Sequence, residues 1–375
     1  MALLAIALTA LSFGLSGCDL PQVRAEDRIF LNLSLDFLGE YRLPAESQLE
    51  QTRIGGLSGL TYDRTQNQFY AISDDRSQYA PARFYTLKLA TQANSPQLAR
   101  VDVTGVTLLK NQQGQPYPTN RLDPEGIALT PSRSVFIASE GVKDQAPPFV
   151  DQFDLNGAWM QALNLPDYYF SNPDSQTPAQ GVGSNLGFES LTLNPSGDRL
   201  FAATESALLQ DAEPNYTGPI RSRLLHYLVG DLKPILVSEH LYALEPTPAG
   251  ATFHGLVELL ALDNGGHFLS LERTFTPGQG ITAKLFQVNT GSASNVSTLA
   301  ILKGDLAGIQ PVCKQSLFDL SQLGLTLGNL EGMALGPILP DGSQSLLLVS
   351  DDNFNPKEPT QFLLFRFNQG RQKTS

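Results

Sequence analysis

A single all-β propeller of five blades is the fold this sequence predicts, and three observations carry the prediction. An apolar strand opening on a polar residue recurs five times, at Ser58, Glu125, Glu189, Glu258 and Glu331, with spacings of 67, 64, 69 and 73 residues. Each copy is followed by a polar turn and a strand ending in acid: Ser73-Asp74-Asp75, Ser139-Glu140, Thr204-Glu205, Leu271-Glu272-Arg273 and Ser350-Asp351-Asp352. A long, nearly fixed period with turn residues between short strands marks one propeller blade per repeat. The last repeat has only three strands, and the one strand-like stretch before the first repeat is residues 30–43. Pairing the two ends of the chain in one blade closes the ring and removes exposed edges.

The elements follow in order. Blade one reads as strands at 57–62, 68–73, 83–89 and 101–109, supported by alternation and by β-branched and aromatic residues. Blade two reads as 125–129, 135–139, 148–155 and 158–165, its last hairpin turning at Asn156-Gly157. Blade three turns at Pro195-Ser196-Gly197-Asp198 and continues through 223–229 and 235–244. Blade four turns at Asn264-Gly265-Gly266 and continues through 283–289 and 296–303. Blade five contributes 333–335, 346–350 and 361–367. Residues 305–330 are left over; they read as an excursion with a short helix at 316–323, although they leave room for a sixth blade. Long insertions fall between the second and third strands, at 75–82, 141–147, 207–221, 274–280 and 352–359. The start of strand one and the end of strand two lie at the same end of an antiparallel hairpin, so signature residues, terminal acids and these loops share one face. Loops there are the expected seat of function.

The chain has 375 residues and a net charge of −12 without a basic run, which argues against nucleic acid as a partner. Residues 1–17 carry no charge and read as an export segment too short to span a membrane. They end in Leu15-Ser16-Gly17-Cys18, which resembles the lipobox of bacterial lipoproteins. The expected organisation is a signal peptide over 1–17, a lipidated Cys18 with a tether to residue 28, and a propeller over 29–375. Such a chain is anchored in the cell envelope, touches the membrane only through its lipid, and is expected to be a monomer acting on a small molecule. Cys313 is then the one remaining thiol, so no internal disulfide forms.

Four carboxylates converging on one axis repel one another. A pair about 5 Å apart costs roughly 3 kcal/mol at an effective dielectric of 20. A hard cation, protons, basic neighbours or backbone N–H groups must relieve this. Oxygen donors without His or Cys suit calcium, so Ser58, Glu125, Glu189, Glu258 and Glu331 are the candidate metal ligands. The same Glu residues could instead accept N–H bonds from the neighbouring blade. A second tier comprises Asp74, Asp75, Glu140, Glu205, Glu272, Asp351 and Asp352, with Arg53, Arg76, Lys143 and Arg273 beside it. Acids, a metal and flanking cations form a set suited to phosphate-ester hydrolysis, so Asp74, Asp75, Arg76, Glu140, Lys143, Glu205, Glu272, Arg273 and Asp351 are the catalytic candidates. His254 reads as a polar loop residue. Gly-x-Ser-x-Gly, Walker, His-Glu-x-x-His and Cys-x-x-Cys motifs are absent from the sequence.

The motifs Gly55-Gly56-Leu57-Ser58-Gly59-Leu60, Asp123-Pro124-Glu125-Gly126-Ile127-Ala128, Asn185-Leu186-Gly187-Phe188-Glu189-Ser190-Leu191, Asn329-Leu330-Glu331-Gly332-Met333-Ala334 and Ser350-Asp351-Asp352-Asn353-Phe354 resemble the bacterial phytase-like family labelled "esterase-like activity of phytase". The resemblance covers essentially everything after residue 29. It implies an exported propeller with phosphoesterase or esterase activity, and it transfers no established catalytic residue. Blade four departs from it, with Val257-Glu258-Leu259 where other blades carry Glu-Gly or Glu-Ser. A looser likeness is to calcium-activated nucleotidases, five-bladed propellers whose central calcium is held by Ser and Glu at strand starts. Together these readings lead to a lipid-anchored hydrolase of phosphate esters using calcium. The alternatives are a non-catalytic binding propeller with a structural Glu ring, or a carboxylesterase.

Overall fold

The computed structural model describes residues 29–172, 179–213, 218–230 and 233–370. Five four-stranded antiparallel sheets form the blades. Blade one is Leu57–Asp63, Gln68–Ser73, Arg83–Thr91 and Leu98–Leu108, and blade two is Pro124–Leu129, Ser134–Ser139, Phe149–Asp154 and Trp159–Ala162. Blade three is Phe188–Leu193, Arg199–Thr204, Arg221–Leu228 and Ile235–Ala243, and blade four is Phe253–Ala261, His267–Thr276, Gly280–Asn289 and Cys313–Asp319. Blade five takes Asn329–Ile338, Gln344–Asp351 and Gln361–Gln369 from the end of the chain and Leu33–Arg42 from its beginning. The pairing of Leu33 with Gln369 through Arg42 with Gln361 closes the ring as the strand inventory predicts. First strands touch in the cycle one–two–three–four–five–one, so they line the axis.

Alternating side chains leave both faces of each blade apolar, and the core is accordingly a set of wedges between blades. Phe69, Tyr85 and Leu57 of blade one meet Phe362, Leu347 and Val349 of blade five. Phe84 and Ile72 meet Phe153 and Ile137 across blades one and two, and Tyr227 and Leu200 meet Phe136 and Val150 across two and three. Phe201 packs edge-on against Phe268 across three and four, with ring centroids 4.7 Å apart. Burying each such aromatic contributes roughly 2–3 kcal/mol, and because each wedge joins two blades, the ring stands or falls together.

Three assignments change. The fourth strand of blade four is Cys313–Asp319, not residues 296–303. The latter stretch is apolar because Val296 and Leu302 pack on Leu241 of blade three, with Leu306 and Ile309 alongside. Val296 N–H donates to Glu239 O and Val312 N–H to Leu241 O, pinning this excursion to the outer strand of blade three. The helix expected at 316–323 is therefore the end of that strand followed by one 3₁₀ turn, Leu320–Leu323. Asp319 caps the turn by accepting from Ser321 N–H, and Gly324 ends it at φ 66°. The long insertion expected at 274–280 is a tight hairpin, since its flanking strands run to Thr276 and from Gly280. Cys18 and the export segment lie outside the described residues.

Candidate functional site

Every blade carries the same irregularity in its inner hairpin. Pairing skips one residue of strand one, passing from Leu57 to Gly59, Pro124 to Gly126, Phe188 to Ser190, Leu256 to Glu258 and Leu330 to Gly332. The bulged residues are Ser58, Glu125, Glu189, Val257 and Glu331. A bulge bends its strand and re-aims the side chain, which is how three of these glutamates reach the axis. Blade four is thus shifted by one residue from the sequence alignment. Opposite each bulge sit Ser73, Ser139, Thr204, Glu272 and Ser350, so the next residues, Asp74, Glu140, Glu205, Arg273 and Asp351, share one position. Where four blades place an acid, the fourth blade places arginine.

These residues open onto a cavity of about 450 Å³ lined by eight carboxylates, from Asp74, Asp75, Asp123, Glu125, Glu189, Glu205, Glu331 and Asp351, against two guanidinium groups, Arg76 and Arg273. No Ser, Thr, Cys or His lines it among the described residues. The position two residues before each bulge decides what can fit. It is Gly187 in blade three and Gly255 in blade four, where an added Cβ would come within 2.4 Å of Glu140 Cβ and 2.6 Å of Glu205 Cγ. These glycines make room for the preceding blade's carboxylate, and Gly187 N–H also donates to Glu140 Oε2 at 2.9 Å. In blades two and five the same position carries Asp123 and Asn329, which add polar atoms to the site.

Arg76 pairs with Asp123, lies 3.6 Å from Glu140 Oε1, and donates to Asn185 Oδ1 at 2.8 Å. Arg273 pairs with Glu331 Oε1 at 2.6 Å, lies 3.6 Å from Glu205 Oε1 and donates to Asn329 Oδ1. Its guanidinium sits 4.6 Å from the centre of the Phe253 ring. Asp75 is paired with Arg83 outside the cavity, but two arginines do not neutralise the remaining acids, and these carboxyls respond by holding protons. Burial first, then the Asp123 carboxyl, pushes Glu140 up to about 9. Burial raises Glu205 to about 8 even though Arg273 pulls it down. Burial with neighbouring carboxylates also raises Asp74, Glu125, Glu189 and Asp351 well above the usual range. Glu331 rises less, because Arg273 opposes its burial.

Asp123, Glu125 and Glu140 each offer an oxygen, all within 4.8 Å of one another. Oxygens about 2.4 Å from a common calcium lie at most about 5 Å apart, so this spacing is compatible with a hard cation. Asp74 Oδ1 is enclosed and has no hydrogen-bond partner. The donor set is entirely oxygen, which suits calcium and not zinc.

Of the residues singled out from sequence, Asp74, Arg76, Glu125, Glu189, Glu205, Arg273, Glu331 and Asp351 meet at this cavity, and Glu140 touches it through the three-acid cluster. Seven others do different work. Ser58 Oγ donates to Glu125 O at 2.9 Å, joining blade one to blade two. Glu258 accepts from Leu259 N–H at 2.8 Å and Met333 N–H at 3.3 Å, so it stitches blade four to blade five. Asp75 borders the cavity, but its carboxylate accepts from Gln78, Tyr79 and Ala80 N–H and pairs with the buried Arg83 at 2.7 Å. Glu272 accepts from Tyr242 Oη and Lys314 Nζ away from the axis. Lys143 lines a separate cleft between blades two and three. Asp352 holds Gly56 and Phe354 N–H, and His254 bonds Thr274 Oγ1 and Glu245 O. Sequence reasoning passed over Asp123, Asn185, Asn329 and Phe253. The signal for two of them was present: Asp123-Pro124-Glu125 and Asn329-Leu330-Glu331 place a second polar group two residues before a signature Glu.

The family described as phytase-like, "Esterase-like activity of phytase", matches residues 52–354, which includes every inner hairpin and every residue of the acidic cavity. The chain belongs to this phytase-like family. A relative from Arthroderma benhamiae, described as an uncharacterized secreted protein, is 27% identical over 185 residues, or 42% of this chain. The match spans only 35% of that protein's own length. Among solved structures, Bacteroides ovatus xyloglucan PUL GH43B aligns with 87% of this chain and 54% of its own at a TM-score of 0.44 and 11% identity. The α-L-arabinofuranosidase PaAbf62A of Podospora anserina aligns with 88% of this chain and 95% of its own at 0.40 and 10%. Likenesses this loose assign no chemistry to the phytase-like chain.

Proposed function

We propose that this phytase-like propeller is an exported hydrolase of phosphate esters that works with calcium bound by Asp123, Glu125 and Glu140, with Asp74 beside them. The observation that carries this reading is the three-carboxylate cluster within 4.8 Å next to an enclosed, unpartnered Asp74 oxygen. Eight acids repel an anionic substrate unless their charge is offset, so a phosphate ester calls for both the cation and the two arginines. When bound, calcium would neutralise the cluster and polarise a phosphoryl oxygen. Arg76 and Arg273, each already held by flanking acids, bind the remaining phosphoryl oxygens. With a cation offsetting the Glu125 and Glu140 carboxyls beside it, Glu189 would be ionised and accept the proton of the attacking water as the phosphorus–oxygen ester bond breaks. Glu205, protonated at neutral pH because its pKa is about 8, donates to the leaving oxygen.

Export in this reading is supported by the uncharged leader with the lipobox-like Cys18 and by the Arthroderma benhamiae relative described as secreted. Serine-dependent carboxylester hydrolysis has less support, since no serine lines the cavity among the described residues and Ser58 Oγ is engaged with a backbone carbonyl.

The test pairs calorimetric titration of metal-free protein with turnover of an aryl phosphate and an aryl acetate. Calcium is expected to bind, and phosphate release is expected to need it and to fall at least 100-fold in Glu189→Gln. Absence of calcium binding, or acetate turnover that ignores chelator, sinks the reading.

A further inference from the structure

Three aromatic or cationic groups gather where the loops of blades one and five meet at the cavity mouth. Tyr79 is 57% exposed, although the cavity wall includes it. One face of its ring stacks on Phe354, with centroids 4.4 Å apart and planes 24° from parallel. The Arg53 guanidinium lies 5.7 Å from the Tyr79 ring centre and 5.6 Å from that of Phe354. The other face of Tyr79 is therefore the exposed one.

The backing is built with unusual backbone. Asn353 and Phe354 are both left-handed, at φ 48° and 50°, a conformation bulky residues keep only where their surroundings impose it. Here they do: Asp351 Oδ1 accepts from Asn353 N–H at 2.6 Å, Asp352 Oδ1 accepts from Phe354 N–H at 3.0 Å, and Arg53 Nη2 donates to Phe354 O at 2.6 Å. Gly56, at φ +62°, leaves the space; a Cβ there would lie 2.7 Å from Phe354 Cε2. On the other side, Asp75 fixes the Tyr79 loop by accepting three successive N–H groups. A large exposed aromatic held this firmly loses little conformational freedom when a ligand covers it.

We propose that Tyr79, backed by Phe354 and Arg53, is a stacking shelf for a planar aromatic ring on the substrate, so that the site takes aryl phosphate esters in preference to alkyl ones. This rests on the phosphate-ester reading, in which the phosphoryl group sits between Arg76 and Arg273 and its leaving group remains at the mouth. Tyr79 is a specificity-determining residue, and it takes no part in bond breaking.

The experiment uses two analogues that cannot be hydrolysed, phenylphosphonate and methylphosphonate, titrated into the calcium-loaded protein. Phenylphosphonate is expected to bind about five- to tenfold more tightly. Tyr79→Ala, with Tyr79→Leu as a second variant should the first fold poorly, is expected to erase that preference, and Tyr79→Phe to retain it. Equal binding of the two analogues by the wild type, or a preference that survives in Tyr79→Ala, overturns the shelf and leaves the phosphate reading standing. Binding of neither overturns both.

Discussion

Arg273 shows how much one side chain decides. It occupies the position where the other four blades place an acid, and it is the counterion of Glu205 and Glu331 in an enclosed site. Removing one partner of a buried ionic cluster leaves charge without compensation, so Arg273→Met is expected to cost about 3–5 kcal/mol at pH 8. The cost should shrink at pH 5, because Glu331, once Arg273 no longer opposes its burial, takes up a proton more readily there. Urea unfolding at the two pH values checks this, and a loss independent of pH would count against the ion-pair account. The sequence named Arg273 but put it beside the acids as a phosphate holder. Its exchange for an acid became visible only once the bulge in blade four was located.

The inner hairpin with its single bulge is the element from which the site is made. Periodicity found all five hairpins, because alternation is local. It misplaced blade four by one residue because Glu258 matches the other blades' glutamates in type but lies one residue past the bulge at Val257, and register depends on the partner strand. The consequence is testable. Glu258→Ala deprives the Leu259 and Met333 N–H groups of their acceptor and is expected to cost about 1–3 kcal/mol. Calcium affinity should stay at the wild-type value, whereas Glu125→Gln should weaken it at least tenfold with a smaller effect on stability. Comparable loss of affinity in both variants would return Glu258 to the metal site. Gly187→Ala belongs to the same scale. Its new methyl would collide with Glu140 Cβ, so both melting temperature and calcium affinity should fall. Strand four of blade four was misread for a related reason: residues 296–303 are apolar for packing on blade three, and composition does not say which neighbour an apolar stretch covers.

Across the whole ring, converging carboxyls make stability depend on pH in an unusual direction. Glu140 and Glu205 have folded-state pKa values of about 9 and 8, above the ordinary glutamate value near 4.5. The folded state therefore binds more protons than the unfolded chain between those limits, and folding loses free energy as pH rises through that window. Metal-free protein is expected to melt at a lower temperature at pH 9 than at pH 5. Calcium should reverse this, stabilising most at high pH, where it competes with fewer protons. Calorimetric scans with calcium and with chelator give the answer; a melting temperature that rises with pH in chelator would contradict the clustered-acid description.

Read by itself, the sequence determined the five repeats, the closure of the ring by its first strand, and the face on which acids collect, while the structure decided that residues 305–330 add no sixth blade. The properties legible in sequence follow from repeat spacing and strand alternation, which are written locally. Tertiary structure alone decided which acids face the cavity and which stitch blades, that Asp123 and Asn329 join them, and that Arg273 replaces the fifth acid. Each depends on a one-residue bulge and on the neighbouring blade, and a side chain's direction at a bulge is set by hydrogen bonds to strands about 15 or more residues away.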